Sequence, residues 1–532
     1  MKKHFLLACL LMAMGGVCPD VVNAQCGDNG DGTFSNPVFW ADVPDPDVIR
    51  VGDDFYMVST TMHLVPGAPI MHSKDLVNWE IVSYLYDKPN YDLKEGTVYG
   101  RGQWATSLRY HNGTYYAYFS PNDTPYKGYV YTTSDPKKGW TLSSRIPHFH
   151  DASLFFDDDG KAYMFWGSTG QLRELKPDLS DVMPGGVDMK IFERDKEENA
   201  LLEGSRVIKH DGKYYLLMIS WPRGGKRRQV CYRADKITGP YEKKVILEDA
   251  FAGFPYVAQG TIVDDGKGNW YGVIFQDRNG VGRVLTVMPC RWVDGWPMLG
   301  DENGHVPATM SKPVQGYSSE GLVVSDDFSG EKLKLNWQWN HNPMNECWSL
   351  NARKGYLRLT TGRVVDNLFV APNTLTQRME GPKCSGVVCM DLSGMKDGDV
   401  AGLSAFNGDA GILAVTCQGS QKYLTMKTES VKLDDNNKSV TGIDRNEIQK
   451  VELTSDVIYL RLDGDFRLNK DIASFYYSYD NKDWKKIGTD FKMIFDYRRF
   501  FMGTKFALFN YATKSLGGFV DIDFFNYQHI KK

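Results

Sequence analysis

The chain has 532 residues, of which 42% are hydrophobic, 13% aromatic and 24% charged, and its formal net charge is -4. This length exceeds what one hydrophobic core usually serves, so it predicts two or more domains. The composition excludes a disordered chain, and the small net charge gives no electrostatic reason to expect nucleic acid or an anionic membrane as a partner. The aromatic content suits β-rich architecture and also suits sugar binding.

The first segment, residues 1–24, is typical of a secretory signal peptide. It has a basic start, an apolar run from Phe5 to Val17, and the small-residue sequence "VNA" at its end. Cleavage after Ala24 predicts an exported protein, either periplasmic or secreted. No later apolar run approaches ~18 residues, so no membrane span is expected.

Five similar segments follow between residues 25 and 316. Each has a polar or aromatic anchor, a short apolar strand, a turn of Gly with Asp or Asn, and an aromatic-rich strand, which is the pattern of a tight β-hairpin. The anchors are Asp45, Trp104, Asp151, Glu203 and Gln259, at steps of 59, 47, 52 and 56 residues. Such steps are typical of propeller blades of roughly 40–50 residues with added loops. The segments therefore predict a five-bladed β-propeller, with a β-sandwich as the less favoured alternative.

Three of the five anchors are acids: Asp45, Asp151 and Glu203. The innermost strand of each blade lines the central channel of a propeller, so the anchors should converge at one mouth of the channel. Carboxyl groups that share a pocket repel one another, which separates their pKa values and allows one to act as a base and another as an acid. This is the equipment for hydrolysis of a glycosidic bond. A calcium site is the main rival use, although no Asp-x-Asp-x-Asp-Gly loop is present.

These segments resemble glycoside hydrolase family 43. "NPVFWADVPDPDVIRVGDDFYMVSTT" is similar to its opening block, and "DASLFFDDDGKAYMFWG" and "LLEGSRVIKHDGKYYLLM" are similar to its second and third blocks. The resemblance implies an inverting enzyme in which Asp45 is the general base, Asp151 tunes and orients the acid, and Glu203 is the general acid. Asp47 is the weaker candidate for the base. Pro44 and Pro46 predict extended backbone that fixes Asp45.

The resemblance also implies residues that bind the sugar. Trp104 would form a stacking wall, Arg283 of "GVGRVLTV" would bond to sugar hydroxyls, and Gln259 of "AQG" would contribute to the same pocket. Blade packing for Trp104 and a surface position for Arg283 are the alternatives. Relatives usually read His-Gln-Gly where this chain has Ala258, which makes a central calcium ion less expected. No cofactor is required, no metal ligand is predicted, and no motif supports a structural calcium ion.

Residues 317–532 predict a second domain. The linker "VPATMSKPVQGYSSEG" is rich in Pro, Ser and Gly, and the short alternating strands after Ser325 indicate an antiparallel β-sandwich of the jelly-roll type. "SDDFSGEKLKLNWQWNHNP" resembles the start of the concanavalin-like domain that xylosidases and arabinofuranosidases of family 43 carry. We expect this domain to shape the rim of the pocket, and independent binding of polysaccharide is the alternative.

The cysteines do not form a disulfide framework. Seven remain after cleavage of the signal peptide, an odd number scattered along the chain. A local bond between Cys384 and Cys389 is less favoured than buried free thiols. No Cys/His spacing resembles a zinc site.

The resemblance as a whole implies an exported, inverting exo-glycosidase that removes a terminal pentose from arabinoxylan, arabinan or xyloglucan. We favour an α-L-arabinofuranosidase over a β-D-xylosidase, because His63 and Leu64 stand where xylosidase-type relatives tend to carry a Trp-Phe-Pro-Gly segment. A non-catalytic sugar-binding propeller is the second alternative, and the presence of all three acids speaks against it. The expected partner is an oligosaccharide or polysaccharide, and the sequence does not predict an oligomeric state.

Overall fold

A computed structural model describes residues 27–89, 91, 98–434 and 440–531, without the side chains of residues 199 and 200. The predicted signal peptide lies outside the described residues. In this part of the chain, no helix is long and apolar enough to cross a membrane. Its helices are three single 3-10 turns, at Asn279–Val281, Asn345–Cys347 and Leu368–Val370. The fold is all-β, as predicted.

Five four-stranded antiparallel sheets form the blades of a β-propeller. A short strand, β1 (Thr33–Ser35), precedes blade 1, and a two-residue strand, β4, lies within the sequence of blade 1. Blade 1 contains β2 (Asp47–Val51), β3 (Asp54–Val58), β5 (Gly67–Ser73) and β6 (Glu80–Tyr86). Strand β4 (Leu64–Val65) is not part of this sheet. Blade 2 contains β7 (Ser107–His111), β8 (Thr114–Phe119), β9 (Lys127–Thr133) and β10 (Thr141–Pro147). Blade 3 contains β11 (Ser153–Phe156), β12 (Ala162–Trp166), β13 (Gln171–Leu175) and β14 (Asp188–Lys190).

The last two blades follow the same plan. Blade 4 contains β15 (Glu198–His210), β16 (Lys213–Pro222), β17 (Arg228–Ala234) and β18 (Glu242–Leu247). Blade 5 contains β19 (Gly260–Asp264), β20 (Trp270–Asp277), β21 (Arg283–Val293) and β22 (Trp296–Leu299). After blade 5, β23 (Thr309–Ser311) pairs with β1, so the two ends of the propeller are tied together.

The hairpin turns explain why the five segments look alike in the sequence. In blade 2, Asn112 and Gly113 join β7 to β8, and both have positive φ angles (48° and 80°). In blade 4, Asp211 and Gly212 join β15 to β16 in the same way (46° and 74°). Two positive φ angles define a type I′ turn, which favours Asn-Gly and Asp-Gly pairs because its twist matches that of the strands.

Buried apolar side chains fill the spaces between neighbouring blades. Trp79 of blade 1 and Val273 of blade 5, for example, belong to one fully buried cluster that closes the ring. Similar clusters lie between the other neighbouring blades. Burial of apolar surface contributes roughly 25 cal/mol per Å² to the stability of the fold. The packing of each blade against its neighbours therefore holds the inner strands in place.

Two eight-stranded sheets form the second domain, a β-sandwich. The first sheet has the order β32-β31-β30-β29-β37-β27-β24-β4, and the second has the order β25-β26-β38-β28-β33-β34-β35 with β36 paired to β34. The strands up to β31 are β24 (Gln338–Asn340), β25 (Trp348–Ser349), β26 (Leu357–Thr360), β27 (Leu375–Arg378), β28 (Lys383–Asp391), β29 (Asp399–Phe406), β30 (Asp409–Gln418) and β31 (Gln421–Leu433). The remaining strands are β32 (Val440–Glu452), β33 (Val457–Asp465), β34 (Ile472–Ser478), β35 (Lys485–Lys486), β36 (Phe491–Lys492), β37 (Lys505–Ala512) and β38 (Phe519–Ile530).

The first sheet of the sandwich takes its last strand from the propeller. Strand β4 pairs with β24, with Val65 opposite Trp339 and Leu64 opposite Asn340. Beside this pair, the fully buried His63 donates from Nε2 to Asn340 Oδ1 at 2.8 Å. His63 and Leu64 therefore lie in the contact between the domains. Their buried side chains pack against the sandwich, and the preference for arabinose that was drawn from these two residues stays a prediction.

The cysteines that the structure describes are buried free thiols. Cys384 and Cys389 both lie on β28, five residues apart. A strand rises about 3.3 Å per residue and alternates its faces, so these side chains lie roughly 16 Å apart on opposite faces. The possible bond between them is therefore excluded.

Candidate active site

Four of the five anchors lie where the innermost strands of the blades begin. Asp45, Trp104, Asp151 and Gln259 come just before β2, β7, β11 and β19, whereas Glu203 lies within β15, between two irregularities in its pairing with β16. The charges of Asp45 and Asp151 both raise the pKa of Glu203, which requires the three carboxyl groups to be close. The propeller thus gathers side chains that are far apart in the sequence, as predicted.

Asp45 is a buried carboxylate surrounded by donors. Its Oδ2 accepts a hydrogen bond from Thr60 Oγ1 at 2.6 Å, and its Oδ1 lies 3.1 Å from both Gln259 Nε2 and Arg283 Nη1. Each of these groups stabilises negative charge on the carboxylate. A charged carboxylate held in one position is what a general base requires.

The backbone at Asp45 is left-handed, with φ 53°. Our prediction of extended backbone between Pro44 and Pro46 is therefore wrong. Ser59 Oγ and Thr60 N both donate to Pro44 O, at 2.8 and 3.1 Å, and these bonds hold the turn. A left-handed conformation costs a non-glycine residue roughly 1–2 kcal/mol, and such strain is concentrated at functional sites.

Asp47 has a different environment from Asp45. Its Oδ2 accepts from Leu108 N at 2.8 Å and from Arg109 Nη1 at 2.7 Å, and its Oδ1 lies 3.4 Å from Arg206 Nε. The side chain is fully buried between blades. Asp47 therefore joins the inner strands of neighbouring blades, and this position is unsuited to activating a water molecule.

The pKa of Glu203 is raised to about 8, mainly by burial and further by the charges of Asp151 and Asp45. Its side chain is nevertheless 35% exposed, so a substrate can reach it. Burial also raises the pKa of Asp151. A carboxyl group that stays protonated near neutral pH while a neighbouring one is charged is the arrangement of an acid and base pair.

His150 is a pocket residue that the sequence reasoning missed. Its Nε2 lies 3.8 Å from Asp151 Oδ2 and 3.9 Å from Glu203 Oε2, and its ring centroid is 5.5 Å from that of Trp104. The signal was present, because His150 directly precedes an anchor and must therefore lie near the channel mouth.

The second domain contributes Phe501 to the site. The guanidinium carbon of Arg283 lies 4.5 Å from the centre of the Phe501 ring, and Arg283 Nη2 donates to Phe501 O at 3.2 Å. The rings of Trp104 and Phe501 are 5.9 Å apart. Arg283 and Trp104 are thus both near the acids, and the sandwich forms part of the rim. No short-range signal in the sequence identifies Phe501, which is far from the anchors along the chain.

The expectation that no calcium ion is required stays a prediction. Calcium requires several oxygen ligands, and around Asp47 the described residues present the guanidinium groups of Arg109 and Arg206, which only donate.

Two groups of side chains could hold a metal ion elsewhere in the described residues. In the pocket, donor atoms of His150, Asp151 and Glu203 lie within 4.8 Å of one another. The second group consists of Asp195, Glu197 and Glu198. Lys243 and Arg228 form ion pairs with this second group, which neutralises much of its charge.

A propeller that gathers a donor-bound carboxylate and a protonated one at its channel mouth defines a site of the glycoside hydrolase class. The model of the glycosyl hydrolases family 43 matches residues 34–297, and the model of the beta xylosidase C-terminal concanavalin A-like domain matches residues 325–528. The chain is also 30% identical to a beta-xylosidase of Formosa agariphila, over 96% of this chain and 93% of that protein. The chain therefore belongs to glycosyl hydrolase family 43.

Two further relatives are informative. The chain is 32% identical to a non-reducing end alpha-L-arabinofuranosidase of Bacteroides ovatus, over 62% of this chain and 65% of that protein. It superimposes on a solved structure described as a bifunctional GH43-CE of Bacteroides eggerthii with a TM-score of 0.85 and 46% identity. That match covers 93% of this chain, which spans 63% of the longer protein.

Proposed function

We propose that this protein is an exported, inverting exo-glycosidase that removes terminal pentosyl residues from hemicellulose, with β-D-xylosides as its leading substrates. The observation that carries this proposal is the contrast between two carboxyl groups of one pocket. Glu203 has a pKa raised to about 8 by burial and by the charges of its neighbours, whereas three donors bind the carboxylate of Asp45.

The proposed mechanism assigns one role to each acid. Glu203 donates its proton to the glycosidic oxygen as the bond to the leaving group breaks. Asp45 accepts a proton from a water molecule that attacks the anomeric carbon from the opposite face, so the configuration inverts. The negative charge of Asp151 raises the pKa of Glu203 and keeps it protonated before the reaction. Inversion requires the carboxyl groups of Asp45 and Glu203 to be about 6.5–9.5 Å apart.

The remaining pocket residues would bind the sugar. Trp104 offers an aromatic face, and Arg283 and Gln259 offer donors beside Asp45. Phe501 and His150 complete the wall around the terminal sugar. Because the second domain takes part in this wall, the proposal includes a pocket closed on one side, which suits attack at the end of a chain.

The choice of xylose rests on two arguments. The relative from Formosa agariphila, which aligns over nearly the whole chain, is named a beta-xylosidase. The residues that favoured arabinose, His63 and Leu64, are buried between the domains. An α-L-arabinofuranoside is the second candidate substrate, and the printed name of the Bacteroides ovatus relative supports it.

The decisive experiment measures release of 4-nitrophenol from the β-D-xyloside and the α-L-arabinofuranoside by the wild type. We expect turnover of both, faster for the xyloside, and proton NMR of xylobiose hydrolysis should show α-xylose as the first product. If 4-nitrophenol is released from neither substrate, the proposal that the protein is a glycosidase is refuted and a sugar-binding propeller is favoured. A faster arabinofuranoside reaction would reverse the order of the two candidates, and retention of configuration would refute the roles of the acids.

Export is part of the proposal and has its own test. Expression of the full chain with its first 24 residues should yield a periplasmic or secreted protein whose N-terminal residue follows Ala24. Mass spectrometry of the purified protein would identify that residue. A cytoplasmic protein with an intact N-terminus would refute export without affecting the proposed chemistry.

A further inference from the structure

The segment between β16 and β17, residues 223–227, lies beside the general acid. Glu203 on β15 is paired with Ile219 on β16. Trp221 is two residues beyond Ile219 and so lies on the same face of the sheet as Glu203, at a diagonal distance of about 7–8 Å between backbone positions. The pocket end of β15 is also the end at which β16 finishes. The segment that follows therefore stands on the pocket side of blade 4.

Trp221 and Arg227 form a stacked pair on this side. Trp221 is 39% exposed, and its Nε1 donates to Gly225 O at 3.1 Å, which fixes the indole and closes the turn. The guanidinium carbon of Arg227 lies 5.0 Å from the centre of the Trp221 ring and 5.1 Å from that of Tyr256. An indole that is exposed and fixed by a hydrogen bond offers a surface on which a sugar ring can stack.

The position of Arg227 links this pair to the chemistry. Burial is the main reason that the pKa of Glu203 is raised, and the positive charge of Arg227 opposes that rise. Arg227 Nη1 also donates to Tyr256 Oη at 2.7 Å and lies 3.2 Å from Asp277 Oδ2. Arg227 is thus close enough for its charge to act on Glu203, and its guanidinium group lies over the Trp221 ring.

The segment also carries positive charge that no acid neutralises. Arg223 N donates to the backbone oxygen of Glu197 at 2.7 Å, but the carboxylate of Glu197 pairs with Arg228 at 2.8 Å and that of Asp195 pairs with Lys243 at 2.6 Å. Arg223 and Lys226 are exposed, and within the described residues neither makes an ion pair. Two unpaired cations beside an exposed indole favour a ligand that combines a sugar ring with a carboxylate.

We propose that Trp221, Arg223, Lys226 and Arg227 bind the leaving-group part of the substrate and select sugars that carry a uronic acid. This inference rests on the proposed function, because it names the class of leaving group at the same site. Trp221 would stack on a neutral sugar of the leaving chain, and Arg223 and Lys226 would bind the carboxylate of a uronosyl branch. Two exposed ion pairs to one carboxylate predict a preference of about fivefold, which corresponds to about 1 kcal/mol.

The experiment compares two oligosaccharides of the same xylose length, one neutral and one with a glucuronosyl branch on the leaving-group side. At low ionic strength, kcat/KM of the wild type should be about fivefold higher for the acidic substrate. In 0.5 M NaCl the ratio should approach 1, because salt screens exposed charges. The double variant Arg223→Gln/Lys226→Gln should have a ratio near 1 at low salt.

A matched control removes the same charge from the other end of the propeller. Lys236 and Lys267 are exposed, and they follow β17 and β19 at the end opposite the pocket. Lys236→Gln/Lys267→Gln should keep the wild-type ratio. Equal kcat/KM of the wild type for the two substrates, or the same loss of ratio in both double variants, would overturn the inference.

The assay also separates this inference from the proposed function. If the wild type hydrolyses the 4-nitrophenyl glycosides but has equal kcat/KM for the acidic and neutral oligosaccharides, the inference fails and the proposed function stands. If the wild type hydrolyses neither glycoside, the proposed function fails, and calorimetric Kd values for the two oligosaccharides supply the ratio instead. A Kd about fivefold lower for the acidic oligosaccharide would then support the basic segment as its binding site, and equal Kd values would refute it.

Discussion

Arg283 and Phe501 belong to different domains and meet in the pocket, with the guanidinium 4.5 Å from the centre of the ring. The same guanidinium lies 3.1 Å from Asp45. A residue of the second domain thus packs on the cation that binds the candidate base. This relationship makes the sandwich part of the site, and it can be tested by changing Phe501 alone.

Phe501→Ala should lower kcat/KM for 4-nitrophenyl β-D-xyloside by about tenfold. The change removes one wall of the pocket and a cation–π contact of about 0.5–2 kcal/mol. Leu516→Ala is the control, because Leu516 lies in the same domain, in the turn between β37 and β38, is 48% exposed, and should not affect the rate. Steady-state kinetics check both variants, and equal rates for Phe501→Ala and the wild type would show that the sandwich does not contribute to the site.

The pH dependence should report Glu203. The acid acts only when protonated, and its pKa is raised to about 8 by burial and neighbouring charges. The value of kcat/KM should therefore be retained below pH 8 and fall tenfold per pH unit above it. Glu203→Gln should lose this alkaline limb. It should also lose far more activity on xylobiose than on an aryl xyloside with a strongly acidic leaving group, which needs no proton. A limb that persists in the variant would assign it to another group.

Asp45 and Asp47 should respond differently to the same substitution. Asp45→Asn removes the base and should lower kcat by at least about 100-fold, with a smaller loss of stability than Asp47→Asn, because Asp151 still places negative charge near Arg283. Asp47→Asn leaves Arg109 and Arg206 buried without their counter-charge and should lower the free energy of unfolding by about 3–5 kcal/mol. Urea unfolding together with kinetics distinguishes the two variants. An inactive, fully stable Asp47→Asn would reverse their roles.

Stability should fall in mild acid because of the histidines between the domains. Burial lowers the pKa of His341 to about 4 and that of His63 well below its usual range. The unfolded chain therefore takes up a proton at a higher pH than the folded chain. The free energy of unfolding is unaffected by these histidines above about pH 6.5 and decreases as the pH falls towards 4. His341 alone should lower the free energy of unfolding by about 2 kcal/mol between pH 7 and pH 5.

The variant His341→Gln supplies the comparison. Its amide can still donate to Val98 O, the acceptor that His341 Nε2 contacts, but it does not titrate. Urea unfolding of His341→Gln should therefore show a loss between pH 7 and pH 5 that is about 2 kcal/mol smaller than in the wild type. The same loss in both proteins would mean that other groups cause the acid sensitivity.

The propeller and the positions of its three acids could be predicted because a repeated hairpin leaves a repeated pattern. Type I′ turns require Gly, Asn or Asp, and an anchor before each inner strand marks one mouth of the channel. Those constraints are local, and they recur at Asp45, Asp151 and Glu203. The sequence was also sufficient to predict the sandwich from its alternating strands.

The contacts between domains could not be predicted in this way. Phe501 reaches the pocket through the packing of two sheets, and no local pattern encodes that approach. The burial of His63 could not be predicted for the same reason, since it depends on the pairing of β4 with β24 of the other domain. The backbone at Asp45 was missed because proline rules describe its neighbours, whereas hydrogen bonds from Ser59 and Thr60 impose the turn.

Strand β4 has a consequence for how this protein can be rearranged. Two residues of blade 1, Leu64 and Val65, complete the edge of a sandwich sheet, and an open edge invites association with other chains. A sandwich transplanted to another protein would lack that edge strand, and a propeller produced alone would lose Phe501. The two domains should therefore be produced and engineered as one unit.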